Sequence, residues 1–436
     1  MTSPRRFEQD LPALLADMFV AGTPDYRDDL VQQVARVRQR PAWTFPERWL
    51  PMDIATKALP SSPRIPWRIV GVLAVLAILI AAMVAVYIGS QRRLPEPFGQ
   101  AANGSIVFVT DGDIYTADPV TGKTTAIIIG PETDDRPIYS LDGTRVVFER
   151  KVEGDGGVRP GMLFVARDDG RGLVQVTPEP LAGLGSWSFS PDGRSIVALV
   201  VRQAGPAIMV VASDGSGEPA YFDVGATLND GPPQYRPDGT EIMFIGRQPG
   251  AAYRDLYALD VASGNVRTVI TGSVSADIHL ASWSPDGTRI AYAQYDQNAP
   301  TFSTRTHVVA ADGSGDIAVD THPDSIADNG STWSNDGTRL IISRFFAGGP
   351  DGYWRSAVVP VDRSSVGVEL GCPPGALPAD CTADWIWSPD DTVLLGVASD
   401  ASDRPIPQFL ADPLTGEIRP APWTATGDPA WQRRAP

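Results

Sequence analysis

Trp283-Ser-Pro-Asp-Gly-Thr-Arg-Ile-Ala-Tyr292 is the stretch of this 436-residue sequence that decides the fold. Pro fixes φ at the first turn position, Asp accepts backbone N–H bonds, and Gly tolerates the left-handed conformation that returns the chain, so the stretch predicts a tight hairpin. The pattern occurs six times, with the turn Asp at Asp142, Asp192, Asp238, Asp286, Asp336 and Asp390. Separations of 46 to 54 residues, each with room for four short strands, indicate a repeat fold of four-stranded units.

An aromatic residue precedes each turn, on what we expect to be the innermost strand of each unit. These residues are Tyr139, Trp187, Tyr235, Trp283, Trp333 and Trp387. Large rings on an inner strand fill the space between neighbouring units. We therefore predict that they belong to the core and not to a binding surface.

The repeat resembles that of TolB-like β-propellers, which is found in periplasmic TolB and in the propeller halves of prolyl-oligopeptidase-type peptidases. The resemblance covers about residues 102–436 and implies an all-β propeller that acts as a scaffold or interaction platform. The chain from Ser105 to Ile129 supplies only three strands, and Pro429-Ala-Trp431 supplies a lone first strand. Joining the two ends removes exposed sheet edges and gives seven blades. Six blades, as in TolB, are the alternative.

The charge balance opposes a nucleic-acid partner. Lys and Arg number 36 against 52 Asp and Glu, a net charge of −16, whereas nucleic-acid phosphates attract basic surfaces. Residues 94–436 carry 24 basic and 44 acidic side chains, so the acidity belongs to the propeller. With three His and two Cys in the whole sequence, we predict no metal site and no cofactor.

Residues 69–88, IVGVLAVLAILIAAMVAVYI, are apolar over twenty positions, which is long enough to cross a bilayer. A secretory signal peptide is the alternative, but it would lie at the extreme N-terminus. Basic residues flank the N-terminal side more heavily and favour a cytoplasmic N-terminus. We predict a single-pass cell-membrane protein with a cytoplasmic helical segment (1–68), a transmembrane helix (69–90), a linker (91–101) and an extracytoplasmic propeller (102–436).

Two cysteines, Cys372 and Cys381, lie nine positions apart in a loop rich in Pro and Gly. Their spacing permits a disulfide, which would suit an oxidising compartment outside the cytoplasm. Two free thiols are the alternative.

Long connections on one face of the propeller are the expected interaction surface, because binding residues concentrate on loops that a rigid scaffold positions. The loop FFAGGPDGYWR offers the aromatic residues Phe345, Phe346, Tyr353 and Trp354 for a protein or peptide partner. The alternative is that these rings fold back onto the blade edge.

A series of carboxylates lies just before the inner strands: Asp135, Asp230, Asp277, Asp328, Asp384 and Asp428. Around the mouth of a central channel they would attract a basic peptide segment or Ca²⁺. The alternative is that each caps its own loop by accepting local amide hydrogen bonds.

Catalytic motifs are missing from the sequence. It contains no Gly-x-Ser-x-Gly elbow, P-loop, dinucleotide-binding glycine pattern or HExxH motif. His279, His307 and His322 are far apart in sequence, and we expect them to be ordinary loop or strand residues. We therefore predict that the chain is not an enzyme, with a metal-dependent propeller lyase or lactonase as a less favoured alternative.

Residues 4–41 predict two helices, followed by RPAWTFPERWLPM, whose Trp43, Phe45 and Trp49 could contact a cytoplasmic partner or the bilayer surface. A short cytoplasmic module, one crossing and an outer sensing domain together are similar in organisation to membrane-bound anti-sigma factors. That resemblance implies a cytoplasmic regulator such as a sigma factor as partner. A passive membrane anchor below a purely structural binding scaffold is the alternative.

Overall fold

The computed structural model describes residues 98–152, 160–181, 183–202, 205–224, 227–228, 231–299, 303–348, 352–372, 380–398, 406–425 and 428–435. The predicted cytoplasmic segment, the predicted transmembrane helix and residues 91–97 of the linker lie outside these residues. All regular elements in the described part are β-strands. No helix long and apolar enough to span a bilayer occurs in that part.

Thirty strands in the described residues form seven sheets, which are the blades. Blade 1 begins with β1 (Ala102–Thr110), β2 (Asp113–Ala117) and β3 (Thr124–Ile128). Blade 2 has β4 (Thr133–Tyr139), β5 (Arg145–Lys151), β6 (Gly161–Arg167) and β7 (Val174–Gln175). Blade 3 has β8 (Gly183–Phe189), β9 (Ser195–Arg202), β10 (Gly205–Ala212) and β11 (Ala220–Phe222).

In blade 4 the innermost strand is split into β12 (Thr227–Leu228) and β13 (Gln234–Tyr235), which both pair with β14 (Glu241–Arg247). The other strands of this blade are β15 (Asp255–Asp260) and β16 (Val266–Ile270). Blade 5 has β17 (Asp277–Trp283), β18 (Arg289–Tyr295), β19 (Thr304–Ala310) and β20 (Ile317–Ala318). Blade 6 has β21 (Ser325–Trp333), β22 (Arg339–Phe346), β23 (Tyr353–Pro360), β24 (Val368–Glu369) and the short β25 (Asp380–Cys381). Blade 7 has β26 (Asp384–Trp387), β27 (Leu394–Val397), β28 (Phe409–Ala411) and β29 (Ile418–Pro420).

The last strand, β30 (Ala430–Arg434), closes the ring. It pairs antiparallel with β1, with Trp431 opposite Ile106, and becomes the innermost strand of blade 1. The predicted all-β propeller with seven four-stranded blades is confirmed, and the six-bladed alternative is wrong. Pairing the two chain ends in one sheet leaves no inner strand unpaired at the join.

The six predicted hairpins share one hydrogen-bond pattern. In each, the turn Asp carboxylate accepts the amide two residues later, as Asp286 accepts Thr288 N–H at 3.0 Å. In five, the Ser hydroxyl two residues earlier also donates to this carboxylate, as Ser284 does at 2.6 Å. The next residue has positive φ and is Gly in five turns, but it is Asp391 (φ 60°) in blade 7. The turn chemistry that the sequence predicts is thus present throughout.

The six aromatics on the inner strands are buried, with Tyr235 and Trp333 8% and 9% exposed and the other four less, so their assignment to the core is confirmed. An arginine from the preceding blade covers the ring in several cases, with Arg289 5.0 Å from the Trp333 centroid and Arg339 4.8 Å from that of Trp387. Each such stack adds attraction between the cation and the ring face to the burial of the ring. These stacks join blade 2 to blade 3, blade 4 to blade 5, blade 5 to blade 6 and blade 6 to blade 7.

The turns of blades 6 and 7 depart from the repeat motif and are hydrogen-bonded to each other, an arrangement that we call the latch. Blade 6 has Asn335 where the hairpins of blades 3, 4, 5 and 7 have Pro, and blade 7 has Asp391 where the others have Gly. The buried Asp391 carboxylate accepts Asn335 N–H at 2.7 Å, the Asn335 amide at 2.8 Å and Asp336 N–H at 2.9 Å. Arg433 of β30 donates to Asn335 Oδ1 at 2.8 Å. Two neighbouring turns and the closing strand are thereby bonded together.

The two faces of the disc differ. The hairpins just described lie on one face, which we call the turn face. The connections between second and third strands and those between blades lie on the opposite face, which we call the loop face. Not all loop-face connections are long, because β9 and β10 of blade 3 are joined through only residues 203–204. Ala101 N–H donates to Pro389 O at 2.8 Å, so the described chain begins at the turn face.

Candidate functional site

One register position on the inner strands defines the channel. It lies six residues before the turn Asp of each motif, or three before Trp431 in β30. We call its members the channel ring: Arg136, Ser186, Pro232, Leu280, Gly330, Asp384 and Asp428. Residues of the ring from four successive blades, Arg136, Ser186, Pro232 and Asp428, line one pocket of about 250 Å³. The equivalence found by register thus corresponds to a shared cavity at the centre of the disc.

Asp384 and Asp428 are the two acids of the channel ring, on the adjacent blades 7 and 1. Both side chains are open to water. The protein around Asp384 still removes part of its hydration, and this burial, together with the negative charge of Asp428, raises the pKa of Asp384. Two carboxylates held in this way favour a positively charged group between them.

Arg136 is the basic member of the channel ring, and its charge is engaged within the protein. It donates to Glu149 Oε2 at 2.6 Å, and its guanidinium carbon lies 4.2 Å from the centroid of Trp187. Its backbone is left-handed, with φ 50°. This conformation lies within a β-bulge between Asp135 and Ile138.

Two of the predicted channel carboxylates are instead clamps between blades. The buried Asp277 accepts the backbone N–H of Arg254 in blade 4 at 2.8 Å and its Nη2 at 2.7 Å. Burial alone would raise the pKa of Asp277, but these bonds and the Arg254 charge hold it below its ordinary value. The buried Asp328 likewise accepts Arg305 Nη1 at 2.8 Å and Thr306 N–H at 2.7 Å from blade 5. Here burial prevails and raises the pKa.

The remaining two positions of that prediction differ again. Asp135 is half-buried and accepts the adjacent Arg136 N–H at 2.9 Å, which is the local capping that the sequence left as an alternative. Its neighbour Asp134, which sequence reasoning passed over, is a buried acid of blade 2 and binds Arg150 through two bonds of 2.7 and 2.8 Å. Asp230 lies outside the described residues.

The aromatic residues predicted for a loop lie at the ends of two paired strands. Phe345 and Phe346 end β22, Tyr353 and Trp354 begin β23, and the rings pair across the hairpin at centroid distances of 5.0 and 5.1 Å. Phe346 is 5% exposed, and the other three are half-buried. The prediction that these residues form an exposed aromatic loop is therefore wrong. Cross-strand pairing holds the rings against the blade edge, which is the alternative that the sequence left open.

A pocket that sequence reasoning missed surrounds His279. Although the histidines are isolated in sequence, β17 brings His279 beside Arg254, with which it shares a short contact, and within 3.7 Å of Asp277. Its ring meets Tyr295 edge-on at 6.3 Å. His279 lies seven residues before its turn Asp, next to the channel ring, and this register is the signal that could have found it.

Three further predictions concern bonds and sites outside the channel. Cys372 is disulfide-bonded, and the sequence has one other cysteine, Cys381. Within the described ranges, no three His, Cys, Asp or Glu side chains converge as a metal site would require. Trp43, Phe45 and Trp49 lie outside the described residues.

Comparison with known proteins gives partial matches. No family model matches the chain. The curated protein dipeptidyl-peptidase 5 of Porphyromonas gingivalis is 25% identical over 143 residues, which are 30% of this chain and 21% of that protein. The chain thus matches about a fifth of the length of this relative.

Among solved structures, a prolyl endopeptidase matches with a TM-score of 0.53 at 12% identity, over 74% of this chain and 50% of that chain. Oligogalacturonate lyase in complex with manganese matches with a TM-score of 0.51 at 15% identity, over 74% and 85%. TolB from Acinetobacter baumannii matches with a TM-score of 0.46 at 17% identity, over 77% and 81%. At these identities the likeness concerns the fold.

These matches overturn one prediction. We predicted that the chain is not an enzyme because familiar catalytic motifs are missing. The curated relative is a peptidase, and a peptidase and a lyase are among the similar structures, so the missing motifs were no ground for excluding catalysis. The chain is thus a seven-bladed β-propeller that is similar in fold to a prolyl endopeptidase and to a lyase.

Proposed function

We propose that the propeller binds a peptide segment through its channel mouth, with a positively charged group of the peptide between Asp384 and Asp428. The observation that carries this proposal is the position of the two acids on neighbouring blades, where burial and the charge of Asp428 raise the pKa of Asp384. A bound ammonium or guanidinium group removes that repulsion.

Electrostatics beyond the pair supports the same ligand. The other members of the channel ring are neutral except Arg136, which pairs with Glu149 at 2.6 Å. Lys151 also pairs with Glu149, at 2.6 Å, and lies 3.9 Å from Asp135, so two acids and two bases balance there. The excess of acidic residues in 94–436 adds a negative field that would draw a basic peptide towards the mouth. A nucleic acid or an acidic ligand would be repelled by the same field.

A peptide is favoured over other cations by the relatives. Dipeptidyl-peptidase 5 and the prolyl endopeptidase act on peptides by name, and this chain is similar to a part of each. We propose peptide recognition as the shared property. The binding experiment described below also tests whether this chain cleaves the bound peptide.

The membrane topology remains part of the proposal. We propose that the apolar residues 69–88 hold the propeller on the outer side of the cell membrane and that residues 1–60 meet a cytoplasmic regulator such as a sigma factor. The full chain and a Trp43→Ala/Trp49→Ala variant, each recovered from the native host, would be compared by mass spectrometry. Loss of one regulator with the variant would support signalling, and identical captures would reduce the segment to an anchor.

The test of peptide binding uses the full chain in detergent micelles and a fluorescein-labelled Ala-Ala-Arg-Ala-Ala peptide, with citrulline in place of Arg as the neutral match. We expect Asp384→Asn/Asp428→Asn to weaken binding of the Arg peptide about tenfold and to leave the citrulline peptide unchanged. The control Glu179→Gln/Glu218→Gln removes two exposed charges that do not belong to the channel ring. Mass spectrometry of the incubated peptide reports any cleavage.

Equal affinity for the Arg and citrulline peptides would overturn the proposal. So would an equal loss of affinity in the Glu179/Glu218 control, because that result would mean that only the overall charge matters.

A further inference from the structure

A pocket of about 440 Å³ opens on the loop face where blades 4, 5 and 6 meet, and we call it the blade 5 pocket. Its lining residues are Arg254, Asp277, His279, Leu280, Ala293, Tyr295, Gln297, Thr304 and Asn329. The volume lies within the range of small-molecule sites. Leu280 also belongs to the channel ring, so the pocket adjoins the channel mouth.

Leu280 is held in an unusual conformation at this junction. It has φ 40°, in the left-handed region that disfavours residues with a Cβ, and it marks a β-bulge between His279 and Ala281. The equivalent residue of blade 6 is Gly330, which has no such restriction. Despite its apolar side chain, Leu280 is 42% exposed. An exposed leucine kept where the backbone favours glycine points to a role at the pocket rim.

The walls of the pocket are apolar and aromatic, and its charges cancel. Tyr295 and His279 stand nearly perpendicular, at 84°, and form a corner beside Leu280 and Ala293. Arg254 is held by Asp277 at 2.7 Å, so the pair presents no net charge.

Polar groups lie around these walls. Asn329 occupies the same register position on β21 as His279 does on β17. Gln297 is exposed, and its side-chain amide donates a hydrogen bond to Asp277 at 3.1 Å. The ligand that fits is a neutral apolar ring with room for a polar tip.

We infer that the blade 5 pocket receives an aromatic side chain, of Tyr or Phe type, from the same peptide whose cationic group lies between Asp384 and Asp428. The inference rests on the proposed function. Blade 5 is two blades from blade 7 around the channel ring, so one extended peptide can reach both places. The edges and faces of Tyr295 and His279 favour an aromatic ring over an aliphatic side chain.

The experiment measures binding of labelled peptides that carry one Arg and one Tyr, separated by zero to three Gly, against matched peptides with Ala for Tyr. The full chain is compared with Leu280→Gly, which removes one wall of the pocket and places glycine where the backbone already favours it. Leu173→Gly, also 42% exposed but on the turn face, is the matched control. Thermal melting establishes that all variants are folded.

At the best spacing, we expect Tyr to improve affinity over Ala about tenfold and Leu280→Gly to remove most of that gain. Leu280→Gly should weaken the Ala peptides less than it weakens the Tyr peptides. The double variant Asp384→Asn/Asp428→Asn should weaken the Tyr and Ala peptides alike, because it acts on the cationic group.

Two results would overturn the inference alone: no gain from Tyr at any spacing while Arg still matters, or an equal effect of Leu280→Gly on Tyr and Ala peptides. If no peptide responds to Arg or to the two acids, the proposed function fails together with the inference.

Discussion

At the scale of single residues, the ionised form of Asp384 in the channel ring lowers the stability of the fold. The surrounding protein and the nearby Asp428 both disfavour its ionised form and raise its pKa. A raised folded-state pKa means that the folded chain holds the proton more tightly than the unfolded chain. Folding is therefore stabilised at acid pH relative to neutral pH by this group.

We predict that Asp384→Asn raises the free energy of unfolding at pH 7. The advantage should shrink as the pH falls through the raised pKa, and it should vanish below about pH 4, where aspartic acid is protonated even in the unfolded chain. Urea unfolding of the unchanged protein and of Asp384→Asn between pH 3 and 8 measures the difference in the free energy of unfolding. Asp118→Asn is the control of opposite sign, because hydrogen bonds from Thr121 hold the pKa of Asp118 below its ordinary value. An unchanged difference across the pH range would contradict the assignment.

A second prediction concerns the buried ion pair of Arg344. Its side chain is 0% exposed and that of Asp320 1%, with Arg344 Nη2 2.7 Å from Asp320 Oδ1. Arg344→Met should destabilise the fold by about 3–5 kcal/mol, because it leaves a buried carboxylate without its cation.

The double variant Arg344→Met/Asp320→Asn should recover part of that loss, since no unpaired charge remains. Denaturant unfolding measures both. Arg171→Met is the control, since Arg171 is 84% exposed and lies 3.9 Å from Asp169, a geometry expected to contribute about 1 kcal/mol or less. Equal effects of Arg344→Met and Arg171→Met would refute the role of burial.

At the scale of elements, the hairpins of the repeat are predictable from sequence because their chemistry is local. The turn Asp bonds within two residues, as Asp286 does with Ser284 and Thr288. Asp277 and Asp328 could not be placed in the same way, since their partners Arg254 and Arg305 lie 23 residues away in the neighbouring blade. Only the register of assembled blades separates these clamps from the channel acids.

The latch between the turns of blades 6 and 7 gives a prediction at this scale. Asp391→Gly should relieve the left-handed strain at φ 60°, yet it should lower the free energy of unfolding by about 1–3 kcal/mol, because the part-buried amides of Asn335 and Asp336 lose a charged acceptor. Asn335→Pro in the same chain restores the common motif and removes one of those amides. The double variant should then be more stable than the sum of the two single effects.

Urea midpoints of the single and double variants measure this coupling. The control is Asp111→Gly, another non-glycine residue with positive φ (54°), which is exposed and should become neutral or slightly more stable. Strictly additive effects of the two latch substitutions would show that the paired departures from the motif are unrelated.

At the scale of the whole molecule, the propeller is one ring because its two chain ends share a sheet. Trp431 of β30 packs in the same core cluster as Ile106 and Phe108 of β1. Gln432 Nε2 donates to Gly143 O in blade 2 at 2.7 Å, so the closing strand also joins blade 1 to its neighbour. Sequence predicted this closure from a count of strands alone, because a lone strand at one end matched a missing strand at the other.

We therefore predict that a chain ending at Pro429 loses cooperative unfolding and self-associates. Without β30, the inner edge of β1 would present unpaired backbone groups, which favour pairing with another chain. The apolar side chains of Ile106 and Phe108 would also lose the cover of Trp431. Size-exclusion chromatography and thermal melting of the truncated chain measure both effects, with removal of only residues 435–436 as the control.

A synthetic peptide of residues 428–436, added in trans, should restore the monomer and raise the melting temperature, since it can pair with β1 as β30 does. If the truncated chain stays monomeric and melts like the full chain, closure by β30 does not hold the ring together, and the contacts between adjacent blades suffice.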